Sequence, residues 1–135
     1  MARILVAEDD AGVRLLVTRA LRLEGHSVVA VEDGEYAFER LIEDDGRFDL
    51  LLSDIRMPAM TGIELAHAAH RQWPGLTILL MTGYAEQREA AEDLMQIVVG
   101  VVDKPFTLTE IRARVGEALG TSAVADQDEL LRRYG

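Results

Sequence analysis

A parallel β-sheet of five strands, sandwiched between helices, is the fold this sequence predicts, and three observations predict it. Short apolar runs of strand length alternate with stretches of helical periodicity or composition, which is the pattern of successive βα units. The runs are nearly continuous in Val, Leu, Ile and Ala rather than alternating with polar residues, as strands covered on both faces require. The chain is 49% apolar but only 5% aromatic, a balance that suits such an aliphatic core.

The elements follow in order. Ile4 to Ala7 reads as the first strand and ends in three acids, Glu8-Asp9-Asp10. Val13, Leu16, Val17, Ala20 and Leu21 then recur at helical spacing, and Gly25 supplies the left-handed stop. Val28 to Val31 is expected as a second buried strand. Asp33-Gly34 opens a helix with Phe38, Leu41 and Ile42 on its apolar side, and Glu43-Asp44-Asp45-Gly46 is expected as a solvated loop. The central strand is Leu50 to Asp54, led in by Phe48 and stopped by Pro58. Pro58 and Gly62 bracket an irregular loop, and Ile63 to Trp73 has helical composition before Pro74-Gly75, with Trp73 plugging the helix end. Leu76 to Met81 makes the fourth strand and delivers Thr82-Gly83. Ala85 to Met95 forms a weakly amphipathic, mobile helix whose face is Ala90, Ala91, Leu94 and Met95. Val98 to Val102 is a fifth strand that delivers Asp103-Lys104-Pro105-Phe106. Thr107 and Glu110 have capping-box spacing, and Leu108, Ile111, Val115, Ala118 and Leu119 mark the last helix face. From Gly120 the composition changes, so residues 1–120 are expected as one domain and 121–135 as a tail, either frayed or a short helix with acids first and arginines last.

Composition limits the function. With 24 acidic and 14 basic residues the formal net charge is −10, so a phosphate backbone would be repelled and nucleic-acid binding is not expected. Cysteine is absent, which excludes a disulfide framework and thiolate metal sites. The first apolar segment is too short for a signal-peptide core or a membrane span, so a soluble cytoplasmic protein with no membrane partner is expected.

The polar residues at successive strand ends carry the chemistry: Glu8 and Asp9, Asp54, Thr82, and Lys104. Carboxyl ends of strands in such sheets form the ligand crevice. Three carboxylates gathered there repel one another unless a cation lies among them, and hard oxygen ligands without His or Cys select an ion such as Mg²⁺. A divalent ion, an ammonium and a hydroxyl around one aspartate suit an aspartyl-phosphate acceptor, with Asp54 as nucleophile.

At these positions the sequence resembles the receiver domains of two-component response regulators. The motifs that carry the resemblance are Glu8-Asp9, Asp54 followed by Met57-Pro58 and Gly62, Thr82-Gly83, and Lys104-Pro105-Phe106, and it extends over about residues 3 to 119. It implies a flavodoxin-like (CheY-like) doubly wound sheet of strand order 2-1-3-4-5. It also implies a phosphorelay role in which Asp54 receives a phosphoryl group from a sensor histidine kinase or a histidine phosphotransfer protein. Asp9 would bind Mg²⁺ directly and Glu8 through water, with Asp54 and the backbone carbonyl of Arg56 completing the set. Lys104 would pair with a phosphoryl oxygen, Thr82 would be the switch, and the bond before Pro105 would be cis. Asp10 is more simply a helix cap.

Three departures from the family pattern matter. Val101 stands where receivers often carry the aromatic half of the switch, Thr61 replaces a frequent acid before Gly62, a loop change of small expected effect, and Arg56 and Tyr84 flank the path of the hydrolytic water, where two bulky side chains are expected to slow phosphoryl loss. The Ala7-Glu8-Asp9-Asp10 start and the Thr82-Gly83-Tyr84 loop are similar to the stand-alone CpdR type of receiver, which primes a protease when unphosphorylated. With no second domain in view, output through an unidentified protein partner is expected, as monomer or phosphorylation-dependent dimer.

Two other functions compete. A phosphatase with an aspartyl-phosphate intermediate commonly keeps a second aspartate two places after the nucleophile, where this chain has Arg56. A flavin or nucleotide carrier of the same topology would need Ser, Thr or Gly where Glu8-Asp9-Asp10 stands. His67 and His70 have a spacing that chelates metals but no evident third ligand, so solvated helix positions are expected. Met57, Met60, Met81 and Met95 share no helical stripe and are expected as filler.

Overall fold

The computed structural model describes residues 1–120, the side chains of Ala85 and Glu86 excepted; the tail expected over 121–135 lies outside the described residues. Five strands and five helices alternate: β1 (Arg3–Ala7), α1 (Ala11–Leu23), β2 (Ser27–Val31), α2 (Gly34–Glu43), β3 (Leu50–Asp54), α3 (Gly62–Gln72), β4 (Thr77–Thr82), α4 (Ala85–Glu92), β5 (Gly100–Asp103) and α5 (Leu108–Ala118). All pairings are parallel and the order is β2-β1-β3-β4-β5, as the sequence predicts. The chain therefore leaves β1 on one side and returns to β3 on the other, which opens a crevice at their carboxyl ends.

The sheet separates two apolar layers. Ile4, Val6, Leu50, Leu52 and Leu79 face Val17, Leu21, Ile111 and Val115, while Leu5, Leu51, Ile78 and Leu80 face Leu41, Leu65 and Ala69. Alternate residues of each strand thus serve opposite layers, which is why the runs are apolar throughout.

Local chemistry sets the helix ends. Asp10 caps α1 by accepting from the Val13 N–H, and Gly25, at φ 90°, follows its C-cap. Trp73 does plug the end of α3: its indole lies over Gly46, where a Cβ would come within 2.4 Å of the ring, and tilts against Phe38.

Several expectations are corrected. β2 is an edge strand, half-buried rather than buried, because it pairs only with β1. Ile42 is 54% exposed and α2 instead buries Gly34, Ala37 and Leu41. The loop after β3 presses on the start of that helix, so closely that a Cβ at Gly34 would lie 2.3 Å from the Met60 carbonyl oxygen, and the helix presents its small residues inward. Glu43 ends α2 rather than opening a solvated loop, and Asp44 accepts from both Arg40 and Arg3. α4 stops at Glu92, leaving Met95 51% exposed and Ala90 exposed, while Ala91 and Leu94 are buried. β5 begins at Gly100, two residues later than expected, since register with Leu79 starts there. Leu16 and Leu108 are exposed rather than on their helices' buried faces. At α5 only half of the expected box forms: the Thr107 oxygen accepts from the Glu110 N–H, and its hydroxyl donates to the Glu110 carboxylate. The reciprocal box lies at α3, between Thr61 and Glu64, so Thr61 is a helix cap and more than a neutral loop change.

Candidate functional site

The sheet brings the predicted strand-end residues to one edge. Ala7 is in register with Ser53, Asp54 with Met81, and Thr82 with Asp103, so Glu8, Asp54, Thr82 and Lys104 follow or end strands that stop together. Glu8 is fully buried, Asp54 is buried as the last residue of β3, and Asp9 is exposed; one oxygen from each lies within 4.8 Å of the others. Gly62 lets the following loop close over this point: a Cβ there would sit 2.1 Å from the Asp54 carbonyl oxygen.

Lys104 ties the edge together. Its Nζ donates to Glu8 Oε1 at 2.6 Å and lies 3.2 Å from Asp54 Oδ2. The peptide bond between Lys104 and Pro105 is cis. Arg14 of α1 supports the acid pair from behind, its guanidinium donating to the Glu8 carbonyl oxygen at 2.9 Å.

The electrostatics are those of too many carboxylates in too little water. Burial, then a hydrogen bond and repulsion from Asp54, push the Glu8 carboxyl up to about 8, although Lys104 pulls the other way. Burial and Asp54 likewise raise Asp9 above its ordinary value. Burial disfavours the charged Lys104, yet contact with Glu8 and Asp54 outweighs it and the ammonium is held above its ordinary value. One ammonium faces three carboxyl groups, and Glu8 Oε2 is buried with no hydrogen-bond partner. Hard oxygen donors short of positive charge fit a Mg²⁺ ion.

The remaining residues surround this edge. Thr82 is buried, and its hydroxyl donates to Gln87 Oε1 at 2.7 Å while its oxygen accepts from the Tyr84 N–H. The Arg56 guanidinium lies over the Tyr84 ring at 5.3 Å from its centroid. Val101 is buried in the layer shared with Leu80 and Ala91. His67 is exposed and His70 half-buried on α3, and neither joins the carboxylate cluster. Gln87 and Arg14 had no sequence signal, because a polar residue on an exposed helix says nothing about its partner; Thr61-x-x-Glu64 did carry one, the capping-box spacing.

Comparison with known proteins agrees with this geometry. The family model of the response regulator receiver domain matches residues 4–116. The chain belongs to the response regulator receiver family. It is 40% identical over 111 residues to the response regulator receiver protein CpdR of Brucella abortus, covering 82% of this chain and 91% of that one. It is 32% identical to part of the sensor kinase CckA of the same organism, over 87% of this chain but only 12% of the kinase. Among solved structures, the response regulator protein TrrA of Thermotoga maritima, in complex with Mg²⁺ and BeF, superposes with a TM-score of 0.77 at 30% identity, covering 87% of this chain and 99% of that one. Receiver domains work in two-component phosphorelays as signalling domains with weak autophosphorylation and phosphatase activity, take phosphate from histidine kinases or phosphotransfer proteins, and bind Mg²⁺ at an acidic pocket. Among the described residues no helix is long and apolar enough to cross a membrane.

Proposed function

We propose that residues 1–120 act as a phosphorylation-controlled binding switch in which Asp54 accepts the phosphoryl group. One observation carries the reading: Lys104 reaches both Glu8 and Asp54, 2.6 Å and 3.2 Å away, at the crevice where the strand order reverses. A carboxylate held beside an ammonium there is placed to attack phosphorus. An Asp54 carboxylate oxygen forms the new bond to phosphorus as the phosphorus–nitrogen bond of a phosphohistidine breaks, and the histidine nitrogen keeps the electron pair. Lys104 neutralises charge on the transferred oxygens, and Thr82 offers its hydroxyl to one of them once the group is in place. Asp9, Asp54 and the Arg56 carbonyl, with Glu8 through water, would hold Mg²⁺, which when bound would add positive charge beside those oxygens. Output follows from altered affinity for a protein partner at the face of α4, β5 and α5. The likeness to the receiver protein CpdR along most of that protein's length supports action through other proteins.

The stacked Arg56 and Tyr84 side chains support a second element of the proposal, that they slow hydrolysis by covering the water path. Phosphorylated Arg56→Ala and Tyr84→Ala are expected to lose phosphate faster than the wild type; equal or slower loss removes this role.

The acceptor is tested by incubating the protein with acetyl phosphate, with and without Mg²⁺, and reading intact mass beside Asp54→Asn. One phosphoryl group that requires both Mg²⁺ and Asp54 is expected. Addition to the Asp54→Asn protein refutes the assignment.

A further inference from the structure

The Thr82 hydroxyl is already engaged. Its shortest bond is to Gln87 Oε1 at 2.7 Å, with the Tyr84 carbonyl oxygen a longer alternative acceptor at 3.2 Å; its oxygen accepts from the Tyr84 N–H at 3.2 Å, and the residue is 1% exposed. A threonine hydroxyl has one proton to donate. While that proton serves Gln87 it cannot serve an oxygen on Asp54. We infer that Gln87 is a positioning residue that latches Thr82 in the unphosphorylated conformation, so that Gln87 and the phosphoryl group compete for the same proton. The inference rests on the proposed roles of Asp54 and Thr82 and names what opposes the switch.

The latch couples the crevice to α4. Gln87 lies in the first turn of that helix, whose N-cap, Tyr84, offers no side-chain cap; the Tyr84 N–H is satisfied by the Thr82 oxygen instead. A hydroxyl that turns toward Asp54 therefore releases two contacts at the start of α4 together. The buried anchors, Ala91 and Leu94, are at the other end of the segment. The Arg88 to Asp103 ion pair, 2.7 Å long, joins two exposed side chains and holds the start of the helix weakly. Gln87 also borders a cavity of about 370 Å³ lined by Ile55, Arg56, Thr61, Ile63 and Tyr84, which gives the freed amide room to move. Release at Thr82 thus becomes a shift of the first turn of α4, the helix of the proposed output face.

The test uses beryllofluoride as the phosphoryl mimic, its binding to the full chain with Mg²⁺ measured by calorimetry in the wild type, Gln87→Met, Thr82→Val and the double variant. Methionine keeps the length of glutamine and removes the acceptor. Gln87→Met is expected to bind beryllofluoride about three- to tenfold more tightly, the worth of one hydrogen bond no longer broken. Its affinity for Mg²⁺ alone is expected to stay at the wild-type value, which also reports an intact fold. In the Thr82→Val background the same substitution is expected to change nothing, because a role confined to packing α4 would act with or without the hydroxyl. Wild-type binding with no gain in Gln87→Met, or a gain that persists in Thr82→Val, overturns the latch alone. Failure of the wild type to bind beryllofluoride overturns the acceptor assignment and the latch with it.

Discussion

Glu8→Gln should stabilise the metal-free protein at pH 8 and give no gain near pH 4.5. Glu8 is fully buried, and its carboxyl rises from 4.5 to about 8, chiefly through burial and then through Asp54. A carboxyl whose folded pKa is raised holds its proton in the folded chain after the unfolded chain has lost it. Between about pH 4.5 and about 8 the folded state therefore binds more protons, and stability falls as pH rises, levelling off above. The displacement sets a ceiling of about 5 kcal/mol. The value of about 8 already includes the opposing pull of Lys104, so glutamine, which stands in for the neutral carboxyl, removes the net penalty and a gain of about 2 kcal/mol or more, below that ceiling, is expected at pH 8. Urea denaturation in chelator across this pH range, on both proteins, measures it. Excess Mg²⁺ should then reverse the ranking, because a bound cation replaces the proton in the wild type and finds one carboxylate fewer in the variant. A stability difference that does not change with pH would refute the account of Glu8 as a carboxylate held against its charge.

Three further outcomes follow from single contacts. Gly62→Ala places a Cβ 2.1 Å from the Asp54 carbonyl oxygen and 2.9 Å from the Ile55 Cα, so a loss of about 2 kcal/mol or more in urea denaturation is expected, with weaker Mg²⁺ binding by calorimetry. Thr61→Ala removes the side-chain half of the capping box of α3, the bond from the Glu64 N–H to the threonine oxygen, and should cost about 1 kcal/mol by the same denaturation, where an unstructured loop residue would cost nothing. Asp44 is held below its ordinary value of 3.8 by Arg40 and then Arg3, so its contribution is present above that value and lost as pH falls through the lower folded one; acid unfolding of the wild type and Asp44→Asn should differ above pH 3.8 and converge below it.

The fold was legible in the sequence where one pattern dominated. Leu50 to Leu52 is apolar because both faces of β3 are covered, and the change to Ser53-Asp54 marks the carboxyl end of the strand, where buried polar groups face the crevice. Legibility failed where a neighbour decided. Ile42 has the spacing of a core residue, yet the Met60 loop on Gly34 turns α2 so that Ala37 and Leu41 face inward. Val98 and Val99 have strand composition, but the register with β4 starts only at Gly100; Val99 gives its N–H to the Ile78 carbonyl yet is left 53% exposed. At the helix starts, Thr107 and Thr61 carry the same box spacing, and only at Thr61 does the glutamate reach back to the backbone N–H.

The site divides in the same way, and the division has a physical basis. In a parallel sheet every strand ends at the same edge, so an acid after β1, an acid at the end of β3 and a lysine after β5 converge once the strand order is known. Topology alone brings those groups together, and their chemistry can be read without side-chain detail. What the Thr82 hydroxyl does is set by the β4–α4 turn, which brings Gln87 within 2.7 Å. No apolar period constrains that turn, so the partner of the hydroxyl was invisible in the sequence. A site assembled by strand ends fixes which charges meet, while the turns beyond them decide which hydrogen bond must break before the charges can act. In this chain the proposed acceptor edge therefore follows from the family topology, whereas the proposed resistance to switching resides in one amide on the first turn of α4.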